Sequence, residues 1–399
     1  MASVVALTDL TLADLWKEVK DPAALWGDVS RETLRAVRLL LQNRMHAELA
    51  QYLNAGHYVH GGHRRGYRNG VYVRRLTTTW GTIRDLQIPR ARDGGFRPSV
   101  LARYQHRARD VDELVRRVFL GGLSTRQVGP VLAQLLGTMV SPTTVSAITK
   151  TLDAAVAAFH SRPLTDRCQY LLLDAVRLRV KTPDGQKRRL ALVAYGLTPQ
   201  GERQLIDYRL VRQEGHASWE AFLTNLACRG LVGVALRLIT TDGHAGLHAA
   251  LALVYPHVPR QACWVHVLRN VMQRLRVRDR ARCLVMARRI YQASHRAAAE
   301  RALQCWVRAW QHTAPHAVAC LLRDWEALLA FYSVSERDWR RVRTTNAIER
   351  AFREIRRRTR PMTCFTNLAS CDRIMYAVTH AFNLRQAGRP LSWESTQNA

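Results

Sequence analysis

Lysine is almost missing from this chain of 399 residues: Lys17, Lys20, Lys150, Lys181 and Lys187 are all there are. Carboxylates are scarce as well, 31 against 61 Lys plus Arg, which leaves a formal net charge of +30. No run of apolar residues is long enough to span a membrane, and the N-terminus lacks the basic start and apolar stretch of a secretory signal. Eight cysteines are scattered without a single Cys-x-x-Cys pair, so neither a disulfide framework nor a zinc ribbon is encoded. The expectation from these absences is a cytoplasmic protein with reduced thiols and no membrane partner. There is also no Gly-x-Ser-x-Gly elbow and no Gly-x-x-x-x-Gly-Lys phosphate loop, so chemistry driven by nucleotide hydrolysis has no support.

What is present is arginine on a chain that folds. Hydrophobic residues make up 47%, enough for two or three domains and at least one sizeable core. A cation surplus of this size on a globular protein calls for a polyanionic partner, and nucleic acid fits better than a membrane surface. Arg binds phosphate oxygens bidentately where Lys does not. A GC-rich genome would also favour Arg over Lys, but it would not raise the net charge.

Residues 1–56 carry helical spacing through Leu34, Val37, Leu40, Leu41, Met45, Leu49 and Leu53. Residues 57–110 form a basic module. Between 61 and 120 there are 14 Arg against five acidic residues, and alternation from Val71 to Pro89 predicts a small β element. Residues 111–162 predict three helices, starting near Asp112, at Ser124 (with Gln127 placed to reach back) and at Ser141-Pro142. The short break before the third resembles a helix-turn-helix, with Thr143, Thr144, Ser146 and Lys150 facing a DNA groove. A plain helical bundle satisfies the same signals.

Residues 163–266 change periodicity. Strands are predicted over Tyr170–Val180, Arg189–Leu197, Leu205–Val211, Ala235–Thr240 and Gln261–His266, with helices over Ser218–Leu226 and Leu247–Val254. Three antiparallel strands, a helix, a buried strand, then helix and strand is the order of an α/β ribonuclease H-like core. Residues 267–340 predict an all-helical insertion into it, and residues 341–387 return to it with two helices. Residues 388–399 form a tail.

Asp174 stands in the apolar run Leu171-Leu172-Leu173, where a carboxylate is costly unless paired, hydrogen-bonded or bound to a metal. Asp242 heads an Asp-Gly pair at the end of an apolar strand. Phosphoryl transfer on DNA uses two divalent ions about 3.5–4 Å apart, and oxygen ligands from a few carboxylates suffice for Mg²⁺. Glu349 is the best third acid. Ile348, Phe352 and Ile355 make a core-facing stripe on its helix, and Glu349, Arg353, Arg356 and Arg360 fall one step around. A structural alternative is a capping box from Asn346 to Glu349. Cys263 and His266 have zinc-like spacing but no second pair. His57, His60 and His63 recur every third residue and read better as solvated or DNA-facing.

With those residues laid out, the chain resembles the Mutator-type transposases of bacterial insertion sequences from about residue 45 to 385. The likeness is carried by Arg65-Gly66-Tyr67-Arg68-Asn69-Gly70, by Pro89-Arg90-Ala91-Arg92, and by Gly122-Leu123-Ser124-Thr125-Arg126. The most specific stretch is Arg343-Thr344-Thr345-Asn346-Ala347-Ile348-Glu349-Arg350. The resemblance implies an Asp-Asp-Glu triad of Asp174, Asp242 and Glu349, with gaps of 242 − 174 = 68 and 349 − 242 = 107 residues. It also implies active-site support from Cys263 and His266. Val267 departs from the basic residue often found beside that histidine.

The expected function is therefore a DNA transposase that cleaves and joins strands with two Mg²⁺ ions, Mn²⁺ serving in their place. It would bind terminal inverted repeats and target DNA in the bacterial cytoplasm, at the nucleoid, as at least a dimer. Arg64, Arg65, Arg68, Asn69, Arg90, Arg92, Arg97 and Arg126 would bind DNA along with Thr143, Thr144 and Lys150. Arg350, Arg353, Arg356, Arg357 and Arg360 would hold the reacting strand. A non-catalytic regulator derived from a transposase and a ribonuclease H-type nuclease are the alternatives.

Overall fold

A computed structural model describes residues 25–56, 58–59, 63–182, 185–359, 365 and 367–388, without the side chains of 25–28, 182, 186–187 and 354–359. Two units divide the chain between Lys150 and Thr151.

In the first unit, helix α1 (Leu25–Leu53) uses its predicted stripe, except for the exposed Leu40, to cover a hairpin of β1 (Arg68–Thr78) and β2 (Gly81–Ala91). Leu34, Val37, Leu41 and Met45 meet Leu76, Ile83, Leu86 and Ile88, and Leu49 and Leu53 continue the seam onto Ala91 and Phe96. The loop after β2 folds back along β1, with Thr77 N–H donating to His106 O at 2.9 Å and Ala108 N–H to Thr77 O at 2.8 Å.

Three helices follow: α2 (Arg109–Leu120), α3 (Thr125–Leu136) and α4 (Pro142–Lys150). Gln127 Oε1 accepts from the Ser124 backbone N–H at 3.0 Å and from its hydroxyl at 2.9 Å, so the predicted start signal is used. Gly129 lets the next turn close onto α3, since a Cβ there would stand 2.2 Å from Val140 O. The Ser141 hydroxyl accepts from Thr144 N–H at 3.1 Å, which makes Ser141 the cap as predicted, and it meets the Thr143 and Thr144 hydroxyls at 2.8 and 2.9 Å. The single helix expected from Ser141 toward 160 is in fact two, because the chain turns at Thr151-Leu152 before α5 (Asp153–Ser161).

The second unit holds a five-stranded mixed sheet of order β5-β4-β3-β6-β7. β3 (Tyr170–Thr182), β4 (Gly185–Leu197) and β5 (Arg203–Val211) are antiparallel. β6 (Leu238–Thr241) and β7 (Arg260–Ala262) run parallel to β3. α6 (His216–Cys228) and α7 (Ala245–Val254) cover one face, where Leu171, Leu173, Leu192 and Ala194 meet Trp219, Phe222, Leu223, Leu247 and Leu251. α15 (Leu368–Gln386), which closes the unit, packs against β5 and sets Phe382 at 5.9 Å from Tyr195.

The fifth strand differs from its prediction. β7 stops at Ala262, and Trp264 already begins helix α8 (Trp264–Gln273). Cys263 is therefore a helix N-cap position and His266 lies in a first helical turn, because the run Cys-Trp-Val-His is apolar enough to satisfy either periodicity.

From there the chain is helical: α9 (Val277–Tyr291), α10 (Arg296–Trp310), α11 (Pro315–Leu322), α12 (Trp325–Leu329), a 3₁₀ turn and α13 (Glu336–Val342). Gln261 anchors this excursion by accepting from Phe331 N–H at 2.7 Å and donating to Leu328 O at 3.1 Å. Its two ends meet: Trp264 N–H donates to Arg343 O at 3.1 Å, and the Thr240 hydroxyl donates to Val342 O at 2.5 Å. α14 (Asn346–Thr359) follows. Among the described residues no helix is long and apolar enough to cross a membrane.

Candidate active site

Strand register decides which side chains stand together. β3 pairs with β6 at a constant offset of 68, from Tyr170–Leu238 (238 − 170) to Leu172–Thr240. β6 pairs with β7 at an offset of 21, from Ile239–Arg260 (260 − 239) to Thr241–Ala262. Continuing both registers sets Asp174, Asp242 and Cys263 in one row. The row lies just past the carboxyl ends of β6 and β7, where open α/β sheets expose their sites. Neighbouring strands are about 4.8 Å apart, so the two aspartates lie within side-chain reach. Gly243 makes the exit from β6 with φ +95°, a conformation that L side chains rarely adopt.

Asp174 is 7% exposed. Alternation turns it to the face opposite the Leu171/Leu173 core. One oxygen accepts from Ala175 N–H at 2.8 Å. Burial pushes its pKa up to about 7, with the Asp242 and Glu349 carboxylates adding to the rise, while His266 and the Ala175 N–H oppose it. All three acids therefore share one electrostatic neighbourhood, and the buried one is driven toward neutrality. Asp242 is half-buried and accepts from His244 N–H at 3.2 Å.

Glu349 occupies the first turns of α14, in a shallow position, with Arg269 of α8 at 3.6 Å. Its predicted capping role is not what the helix uses. Thr345 is the cap position, its carbonyl accepting from Ile348 and Glu349 N–H at 2.9 and 3.2 Å, and Asn346 is already helical. That shift of one residue frees the Glu349 carboxylate from the box. Ile348 and Phe352 are buried as expected, while the side chain of Ile355 lies outside the described residues.

Thr345 is the residue that sequence reasoning missed. It is buried, its N–H donates to Cys263 Sγ at 3.3 Å, and its hydroxyl lies 3.4 Å from Cys263 Sγ and 3.5 Å from His266 Nδ1. Cys263 and His266 are partners in turn. The hydrogen bond to Cys263 raises His266 to about 9 against the effect of burial, and the charges of Cys263, Asp174 and Asp242 help. Burial pushes the Cys263 thiol up, but His266 and Thr345 outweigh it and leave the thiol below its ordinary range. An imidazole whose pKa is raised thus stands beside the two aspartates. Among the described residues no three His, Cys, Asp or Glu side chains converge closely enough to hold a metal ion as they stand.

The other candidate residues fall elsewhere. Arg65, Asn69, Arg90, Arg92, Arg97 and Arg126 are exposed on the first unit, as are Thr143 and Lys150, while Arg64, Arg68 and Thr144 are half-buried. Arg350 and Arg353 are exposed on α14. Arg356 and Arg357 are described by backbone alone, and Arg360, His57 and His60 lie outside the described residues. Val267 is buried, so that position faces the core instead of a ligand.

Comparison with known proteins identifies the family. Residues 11–385 match the family model described as Transposase, Mutator family. The transposase for insertion sequence element ISRM5 of Rhizobium meliloti is 32% identical over 379 residues, covering 94% of each chain. The transposase for IS905 of Lactococcus lactis is 30% identical, covering 91% of this chain and 92% of its own. The transposase for IS256 in transposon Tn4001 of Staphylococcus aureus is 30% identical, covering 88% and 89%. A family match across nearly the whole chain, joined to relatives of the same length, makes this chain a member of the Mutator family of transposases.

Proposed function

We propose that this transposase cuts and joins DNA strands at the row formed by Asp174, Asp242 and Glu349, on a ribonuclease H-like core interrupted by the helical excursion. The observation that carries the reading is the shared electrostatic neighbourhood of the three acids, with Asp174 raised to about 7. A buried carboxylate beside two others is unfavourable for folding, and a cation is what relieves it. Oxygen-only donors suit a hard divalent ion such as Mg²⁺, or Mn²⁺ in its place. Two such ions, when bound, supply the positive charge that stabilises the attacking and leaving oxygens of a phosphodiester.

The chain's own part is positional. Asp174 and Asp242 would hold the ions from the strand row, and Glu349 would complete the set by turning from Arg269. The exposed Arg350 and Arg353, followed on the helix by Arg356 and Arg357 and in the sequence by Arg360, would hold the phosphate backbone. The first unit would bind terminal inverted repeats, and two ends cut in one assembly call for at least a dimer. No covalent protein–DNA intermediate is needed, since water and then a 3′-hydroxyl serve as nucleophiles.

A cleavage-and-joining assay on duplexes carrying the element's own ends tests this reading. Wild-type protein will nick and join in Mg²⁺ and do neither with a chelator, and Glu349→Gln will do neither in Mg²⁺. Nicking without joining would assign a ribonuclease H-type nuclease instead, and tight end binding without nicking would assign a regulator. Thr345 enters as a positioning residue between the Cys263/His266 pair and the Glu349 helix. Thr345→Val will lower cleavage by about 10–100-fold with little change in DNA binding, the usual size of such supporting effects. Thr345→Ser, which keeps the hydroxyl, will restore most of it.

A further inference from the structure

We propose that the groove between the β1–β2 hairpin and the loop after it is a binding site for unpaired nucleotides, with Tyr72 and Tyr104 as base-stacking platforms. The groove encloses about 740 Å³ and is lined by Arg74, Arg90, Arg92, Arg97 and Arg103, with no carboxylate among its lining residues. That volume lies within the range of sites that take a small organic ligand, so a nucleotide fits.

None of the five guanidiniums is neutralised by the contacts it makes. Arg74 donates to Ala102 O at 3.2 Å, and Arg97 to Gly94 O and Phe96 O at 2.7 and 2.8 Å. Arg90 lies 5.9 Å from the centre of the Tyr72 ring, Arg103 lies 4.9 Å from that of Tyr104, and Arg92 lies 5.9 Å from that of Tyr67. Each aromatic platform is thus held next to a phosphate-seeking cation, the pairing that single-strand binding surfaces use.

Phosphate binding alone does not account for the rings. Tyr104 is 69% exposed. It also sits in the left-handed backbone region at φ +61°. A bulky residue pays for that conformation, and glycine would not. An exposed phenol held at a strained position inside a basic groove contributes nothing to a core. What it offers is a flat face. Bases inside a duplex present their faces to one another, so the ligand that uses such a ring is a nucleotide out of its stack, as at a frayed end.

This inference rests on DNA being the partner, but not on the carboxylate row. Binding is therefore measured on the full chain in EDTA, where strand cutting cannot contribute. The probes are a fluorescein-labelled 12-nucleotide single strand and a duplex of the same sequence closed at both ends by non-nucleotide glycol linkers, so that it offers no unpaired base. Tyr72→Ala and Tyr104→Ala will each weaken single-strand binding about tenfold and change duplex binding less than twofold. Tyr104→Phe will bind like wild type.

Tyr104→Gly separates binding from folding, since it relieves the left-handed residue. It will melt no lower than wild type and still lose the single strand. Equal loss on both probes, or no loss on the single strand, would overturn the proposal. A failed cleavage assay would leave it untouched.

Discussion

Asp174→Asn will lower Mg²⁺-dependent strand cleavage at least about a thousandfold, equivalent to ~4 kcal/mol of barrier, and will make the metal-free protein more stable. Both effects have one cause. Asp174 is buried in an apolar strand with two carboxylates acting on it, and it is held at about 7 against an ordinary 3.8. Keeping it ionised is a cost to the fold, and under the proposed metal-binding role an isosteric amide would remove cost and ligand together.

The sign with pH follows from linkage. A carboxyl whose folded pKa is raised is unpenalised below its unfolded value. Its penalty grows as pH climbs from about 4 and is complete above about 7. The variant's advantage will therefore be near zero at pH 4 and on the order of a few kcal/mol at pH 8. Chemical denaturation of both proteins in EDTA at the two pH values measures it. An Asp174→Asn protein that cleaves like wild type, or is no more stable than wild type at pH 8, would rule out this account of the residue.

Asp207→Ala will destabilise the protein by about 3–5 kcal/mol. Asp207 is 2% exposed on β5 and joins elements from across the second unit. It pairs closely with Arg229 at the end of α6, accepts from Tyr208 N–H at 2.7 Å, and meets His160 Nδ1 of α5 at 2.8 Å. Removing it leaves the mostly buried Arg229 guanidinium without its carboxylate, with only the neutral acceptors Arg162 O, Asn225 Oδ1 and Phe159 O. Asp372 holds the other side of His160 at 3.4 Å and accepts from the Tyr208 hydroxyl at 2.7 Å.

Burial opposes charge on His160, but the hydrogen bonds to Asp207 and Asp372 outweigh it and raise the imidazole to about 9. A histidine raised above 6.5 stabilises fully below that pH and loses the contribution as pH climbs through 9. Wild type will therefore lose stability between pH 6.5 and 9. Asp207→Ala will start lower and show a flatter profile over the same window. Parallel profiles for the two proteins would remove His160 from the explanation.

Much of this was legible in order along the chain. Alternation from Val71 to Pro89 locates the hairpin because half of its residues must meet α1. Asp174 stands out because an apolar strand gives a lone carboxylate no structural use. What could not be read locally is pairing across distance. The row of Asp174, Asp242 and Cys263 depends on two registers between strands far apart in sequence. Thr345 is invisible for the same reason, since its partners lie 79 and 82 residues away. Three local boundaries differ as well. Cys263-Trp264-Val265-His266 reads equally as strand or helix, and the α14 cap falls one residue before Asn346, which matters because it decides whether Glu349 is occupied. Thr151-Leu152 ends a helix without glycine or proline, the usual signs.

The meeting of Trp264 N–H with Arg343 O gives the helical excursion a further meaning. To the sheet, the chain leaves and returns at almost the same point, so everything between behaves as a closed loop. Loop-closure entropy grows only logarithmically with length. Helices can therefore be gained, lost or lengthened between those two residues at little cost to the row of acids beneath. The size of the arm is free to drift. The doorway through which it is attached is not.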